Sequence, residues 1–183
     1  MSEPLTTTPK YRAVLFDLDG TLLDTAPDFL TCTNQLLHSK GTLYFDNLAD
    51  RTQPFPGIPE LLSKLEQHNI PWGIVTNKPE RYTLAILDQL PLWPPPATVI
   101  CPDHVQRTKP DPESVLLALQ QINIEPHEAV FIGDHLRDIE AGLRAGTATI
   151  AAAYGYLSED EDPDDWGAHH TVASATQLAN LIF

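Results

Sequence analysis

With 183 residues, 42% of them hydrophobic, the chain can bury a core of its own and is too short for a second full-sized domain. Its 11 Lys and Arg stand against 25 Asp and Glu, and the net charge of -14 excludes the basic face that non-specific binding to nucleic acid or anionic membranes needs. Two cysteines, Cys32 and Cys101, exclude a disulfide framework, and no apolar run reaches the length of a signal peptide or membrane span, so a cytoplasmic protein is the expectation.

Residues 1–10, with an acid and two prolines, read as a flexible N-terminus. Residues 13–16 form an apolar run of strand length, followed at once by DLDGTLLDT from Asp17 to Thr25. Residues 26–55 then break the rhythm. Their front part has helical spacing in Leu30, Leu36 and Leu37, with Pro27 suited to a first helical turn. Beyond them, Leu61, Leu62 and Leu65 mark a helix, 72–75 a strand, and Leu84 with Leu87 a second helix. A strand at 98–100 leads through a loop containing Lys109 to a helix over 112–121, with Val115, Leu116 and Leu119 as its apolar stripe. Strands at 129–132 and 147–151 flank a helix striped by Ile139 and Leu143. SEDEDPDD at 158–165 reads as a solvated acidic loop, and the adjacent His169 and His170 as solvated too.

Apolar strands alternating with amphipathic helices predict an α/β fold, a parallel sheet covered on both faces. Ligands of such sheets bind beyond the carboxyl ends of the strands. The residues there are Asp17-Leu18-Asp19, Thr76-Asn77-Lys78 and Gly133-Asp134, joined by Lys109. Gly20 permits a tight turn after the paired carboxylates, and Thr21 is expected to bond back into it.

DLDGT at 17–21, the pair Thr76-Asn77, Lys109 before Pro110 and GDHLRD at 133–138 stand in the order of the four motifs of the haloacid-dehalogenase superfamily. From Tyr11 to the C-terminus, apart from 26–55, the chain resembles a phosphatase of that superfamily. DTAPD, PFPGIPELL, GIVTNKP, KPDPE, AGLRAG and AAAYGY resemble the phosphoglycolate phosphatase branch. ICPDHV, GDHLRDIEAG and DDWGA also resemble the related phosphatases of N-acetylmuramic acid 6-phosphate, which act in cell-wall recycling.

The resemblance implies a three-layer, Rossmann-like core over 11–25 and 56–183 and magnesium-dependent hydrolysis of a small metabolite phosphate through an aspartyl-phosphate. It implies Asp17 as nucleophile and Asp19 as general acid and base. Thr76, Asn77 and Lys109 would hold the phosphoryl group, with Thr76 and Lys109 counted as catalytic. The implied Mg2+ ligands are the Asp17 carboxylate, the Asp19 main-chain carbonyl and Asp134. Gly20, Thr21, Gly133 and Asp138 support the site, Asp138 by holding metal-bound water, while His135 replaces the Ser, Thr or Asp often found after the Gly-Asp pair. The residue types suit this chemistry in their own right. A carboxylate can attack phosphorus and split hydrolysis into two easier steps. Clustered carboxylates beside a phosphate require a hard cation, and oxygen ligands favour magnesium.

The departure is in the insert. Relatives carry a helical cap between the first motif and PFPG, yet only 30 residues lie at 26–55, against roughly 56 for a four-helix bundle of average helices and loops. A remnant helix hairpin bearing Leu30, Leu36, Leu37, Tyr44, Phe45 and Leu48 is expected, with one apolar face for a second copy of the chain to cover as a homodimer. An open cleft of weak selectivity follows. The alternative is a weakly active or non-catalytic binding protein on the same fold, against which the intact Asp17, Asp19, Thr76, Lys109 and Asp134 argue.

Overall fold

The structure, a computed structural model, describes residues 8–28 and 50–183. Strand β1 (Ala13–Phe16) is buried along its whole length. It lies at the centre of a parallel sheet ordered β5-β4-β1-β6-β7-β8, formed with β4 (Trp72–Val75), β5 (Thr98–Ile100), β6 (Ala129–Gly133), β7 (Ala148–Ala152) and β8 (His170–Val172). The pleat sends alternate β1 side chains to opposite faces. Val14 and Phe16 join one apolar cluster, Ala13 and Leu15 another. The first is covered by helices α1 (Ile58–Gln67), α2 (Glu80–Gln89) and α5 (Leu178–Ile182), the second by α3 (Glu113–Gln121) and α4 (Leu136–Ala145). The predicted three-layer α/β core is thus observed, with the five expected strands in place.

On three helices one residue of the expected stripe points outward. On α2 the buried positions are Thr83 and Ile86, and Leu84 is half exposed. On α3 they are Ser114, Val115, Ala118 and Leu119, with Leu116 turned outward, and on α4 Ile139 is buried while Leu143 faces outward. Ala118, Ala141 and Ala145 lie buried in the cluster on this face of the sheet, beside Val115 and Leu119. His169 is not simply solvated. Its Nδ1 accepts from the Thr149 amide at 3.1 Å and its own amide donates to Thr149 Oγ1, fastening β8 to β7.

The two ends of the insert are stitched together at its base. β2 (Leu23–Asp24) pairs antiparallel with β3 (Gln53–Pro54), and residues 26–28 begin a helix. Asp28, buried, accepts from the Arg51 amide at 2.9 Å and from the amide and hydroxyl of Thr52 at 2.7 Å each. The expected helix hairpin and dimer surface, including Cys32, lie almost wholly in residues 29–49, outside the described residues. Replacing Asp28 with Ala withdraws one charged acceptor from three donors, and a loss of about 2–4 kcal/mol in urea unfolding is expected. A change below about 0.5 kcal/mol would remove Asp28 as an anchor.

Candidate active site

The register of the sheet sets the site. Phe16 lies opposite Ile74 of β4 and Ile132 of β6, so β4, β1 and β6 end level with one another. The ladder runs one residue further, the Asp17 amide donating to the Ile132 carbonyl at 2.9 Å. Asp17 therefore emerges between Thr76 and Asp134, each at the end of a neighbouring strand.

Lys109 ties this cluster together. Its buried Nζ donates to the Val75 carbonyl at 2.7 Å and to Asp17 Oδ1 at 2.8 Å. It also stands 2.8 Å from Asp138 Oδ1, an ion contact off the hydrogen-bonding direction. Burial alone would lower the Lys109 pKa, but Asp138 and Asp17 outweigh it and hold the ammonium above its ordinary value. Burial pushes the Asp17 carboxyl up, a shift that Lys109 opposes and Asp138 reinforces.

Asp134 accepts from Thr21 Oγ1 at 2.9 Å and from the Tyr156 amide at 2.8 Å. The Thr21 hydroxyl thus reaches across to Asp134 instead of closing its own turn, which backbone bonds from Leu22 and Leu23 to the Leu18 carbonyl already close. Burial, then repulsion from Asp17, raise the Asp134 carboxyl to about 7 against these donors. Gly20 has φ +80°, and a Cβ there would overlap the Asp134 carboxylate. One at Gly155 would do the same.

Asp138 sits fully buried on the first turn of α4, where its Oδ2 accepts from the His135 amide at 3.1 Å. His135 Nδ1 in return accepts from the Arg137 amide at 3.2 Å, so His135 is the N-cap of the helix and performs the capping that Ser or Thr would. Its ring stacks on Trp166.

Asp19 is partly buried and held by Thr25 Oγ1 at 2.7 Å and by Lys78 Nζ at 2.9 and 3.1 Å. Thr76 Oγ1 accepts from the Lys78 amide at 3.1 Å, which leaves its hydroxyl hydrogen available among the described residues. Asn77 Nδ2 donates to the Lys109 main-chain carbonyl at 3.0 Å, so one of its hydrogens positions the Lys109 loop. Sequence reasoning placed Lys78 on the rim without giving it a role and passed over Tyr156. The Tyr156 hydroxyl, its pKa pushed to about 12 by burial, accepts from the Ala26 amide at 2.7 Å and donates to Asp24 Oδ1 at 2.8 Å. The recurrence of Tyr around Gly155 was its one trace in the sequence.

Asp17, Asp134 and Asp138 each offer an oxygen, all within 4.8 Å of one another, and all three are buried. One ammonium cannot balance three carboxylates, so the donor set fits a hard divalent cation. The cleft over this cluster has a volume of about 400 Å³ and is also lined by Asp19, Thr76, Lys78, His135, Arg137 and Tyr156.

A parallel sheet with carboxylates and a buried lysine gathered at its carboxyl edge is a Rossmann-like hydrolase core. The chain belongs to the haloacid dehalogenase-like hydrolase family, whose profile matches residues 41–152. It is 38% identical to an N-acetylmuramic acid 6-phosphate phosphatase of Pseudomonas putida, covering 94% of this chain and 96% of the relative. It is 36% identical to a phosphoglycolate phosphatase of Xanthomonas campestris pv. campestris, covering 91% and 94%. A family hydrolase of Deinococcus radiodurans, solved with phosphate and sodium bound, superposes with a TM-score of 0.76 at 23% identity over 94% of this chain and 96% of that one. The first alignment runs over 215 positions and this chain has 183 residues, so at least 32 positions of it face a gap here. No helix among the described residues is long and apolar enough to cross a membrane.

Proposed function

We propose that the chain is a magnesium-dependent phosphomonoester hydrolase working through an aspartyl-phosphate on a small phosphorylated metabolite. The observation that carries this reading is the clustering of Asp17, Asp134 and Asp138 at the carboxyl edge of the sheet, with Asp17 and Asp138 paired to Lys109. The substrates named for the two relatives, phosphoglycolate and N-acetylmuramic acid 6-phosphate, are both phosphorylated carboxylic acids. The slightly higher identity favours the muramic acid compound as the physiological choice, with 2-phosphoglycolate as the second reading. Residues 11–25 and 56–183 form the catalytic core, and 26–55 are a remnant cap in which we place the missing alignment positions.

An Asp17 carboxylate oxygen attacks phosphorus while the ester P–O bond breaks. Asp19, protonated, gives its proton to the departing alkoxide. Asp19 then takes a proton from water, whose oxygen attacks phosphorus as the Asp17–phosphorus link breaks, releasing phosphate and restoring the Asp17 carboxylate and the proton on Asp19. Lys109 neutralises Asp17 and the growing phosphoryl charge, and the Thr76 hydroxyl donates to a phosphoryl oxygen. Asn77 fixes the Lys109 loop, and Lys78 with Thr25 sets where Asp19 sits. Asp17, Asp134 and the Asp19 carbonyl would hold Mg2+, which when bound offsets the repulsion between carboxylates and phosphate.

The test is turnover of 4-nitrophenyl phosphate, which asks for core chemistry without asking for cap contacts. Activity is expected with magnesium, absent in excess chelator and restored by further magnesium. Chelator-resistant activity would remove the metal role of Asp134. No turnover of this ester or of either named substrate would favour a binding protein instead.

A further inference from the structure

Recognition of the part of the substrate that does not react must come from somewhere, and the short insert offers little material for it. Among the described residues lining the cleft or buried beneath it, two cations are committed. Lys109 is held by Asp17 and Asp138, and Lys78 grips both oxygens of Asp19. Arg137 also lines the cleft, and its guanidinium makes no hydrogen bond or ion pair among the described residues. Beside it, His135 carries a second uncommitted donor. Because Nδ1 accepts from the Arg137 amide, the neutral ring must hold its proton on Nε2, and nothing described accepts it. Stacking on Trp166 fixes that ring. Glu161 acts on both residues only at Coulombic range, its carboxylate being held by the Ser158 amide at 3.1 Å.

We infer that Arg137 and His135 form a carboxylate-binding rim, built into the core itself, that selects phosphomonoesters bearing a carboxylate over neutral ones. This rests on the proposed phosphatase reading for the placement of phosphate over Asp17. A guanidinium fork matches the two oxygens of a carboxylate, and the Nε2 hydrogen adds one donor at a fixed position. The rim accounts for selectivity without a full cap.

Three pairs test it, each an acid beside an analogue without the carboxylate: 2-phosphoglycolate with 2-hydroxyethyl phosphate, 3-phosphoglycerate with glycerol 3-phosphate, and N-acetylmuramic acid 6-phosphate with N-acetylglucosamine 6-phosphate, which lacks the whole lactyl group. The wild type is expected to prefer the acid in at least one pair by roughly 10- to 100-fold in kcat/KM, about 1.4–2.8 kcal/mol of differential binding. Arg137→Gln should bring that ratio to near unity, and Arg137→Lys, which keeps the charge and loses the fork, should leave it in between. His135→Asn keeps a capping oxygen and loses the Nε2 donor, and should lower the ratio by a smaller factor. The same ratios are read as Kd values on the Asp17→Asn protein with magnesium, where no turnover is needed. Equal handling of acid and neutral partner in all three pairs by the wild type, or a preference that survives Arg137→Gln, overturns the rim. If no phosphate is hydrolysed but the Kd ratios behave as stated, the rim stands and the hydrolase reading falls.

Discussion

Asp17→Asn is expected to lower turnover of any phosphomonoester by more than about a thousandfold, a barrier increase of at least ~4 kcal/mol, while the fold stays intact. The amide keeps the size of the side chain, and its oxygen can still accept the 2.8 Å bond from Lys109. It cannot attack phosphorus, and it brings no charge to a cation. Stability should not suffer, because burial already pushes the Asp17 carboxyl up and a neutral group there relieves repulsion within the cluster. Urea unfolding should therefore give a midpoint equal to or above that of the wild type without metal. A variant retaining even about 1% of the wild-type rate would leave Asp17 without its role as nucleophile, since no other carboxylate could then be called a spectator.

The same residue shows how legible the site was. Asp17, Thr76 and Asp134 follow apolar runs of strand length, and a parallel sheet places such residues on one edge whatever the details of packing. Lys109 was visible through motif order alone, its loop position carrying no periodic pattern. What could not be read were contacts across the fold: Lys78 on Asp19, the Tyr156 amide on Asp134, and Thr21 reaching Asp134 in place of its own turn. Each depends on how strands stack in register, which a single sequence does not encode locally. Three stripe residues were misplaced for a related reason, while Val115, Leu119 and Ile139 lie buried as expected. Leucine content pointed to Leu84, Leu116 and Leu143, whereas the buried faces carry Ala118, Ala141, Ala145 and Thr83 beside Ile86, Val115 and Leu119. β8 escaped because its three residues, HTV, carry too little pattern to distinguish a short edge strand from a loop.

Metal and proton should compete for the site, and the effect on stability should be large. In the folded chain without metal, Asp134 titrates at about 7 against an ordinary 3.8. Between these values the folded state holds a proton that the unfolded chain has released. Stability from this group is thus fully present below about pH 4 and is lost as pH rises through 7, to the extent of on the order of 4 kcal/mol. Magnesium binds the deprotonated carboxylate, so the stabilisation it adds must grow over the same range. Melting in chelator and in excess magnesium, at pH 5 and pH 8, reads this directly: the magnesium-induced rise in Tm should be small at pH 5 and several degrees larger at pH 8. Glu128, held below its ordinary value chiefly by Arg12, titrates beneath this window and does not imitate the effect. Asp134→Asn should reduce the pH dependence in chelator, leaving only the share that the raised Asp17 carboxyl contributes, and should weaken the magnesium shift together with it, because the Asp134 carboxylate enters both. A magnesium shift that is equal at the two pH values, or larger at pH 5, would mean that the cation binds elsewhere and that Asp134 is only the acceptor for Thr21 and Tyr156.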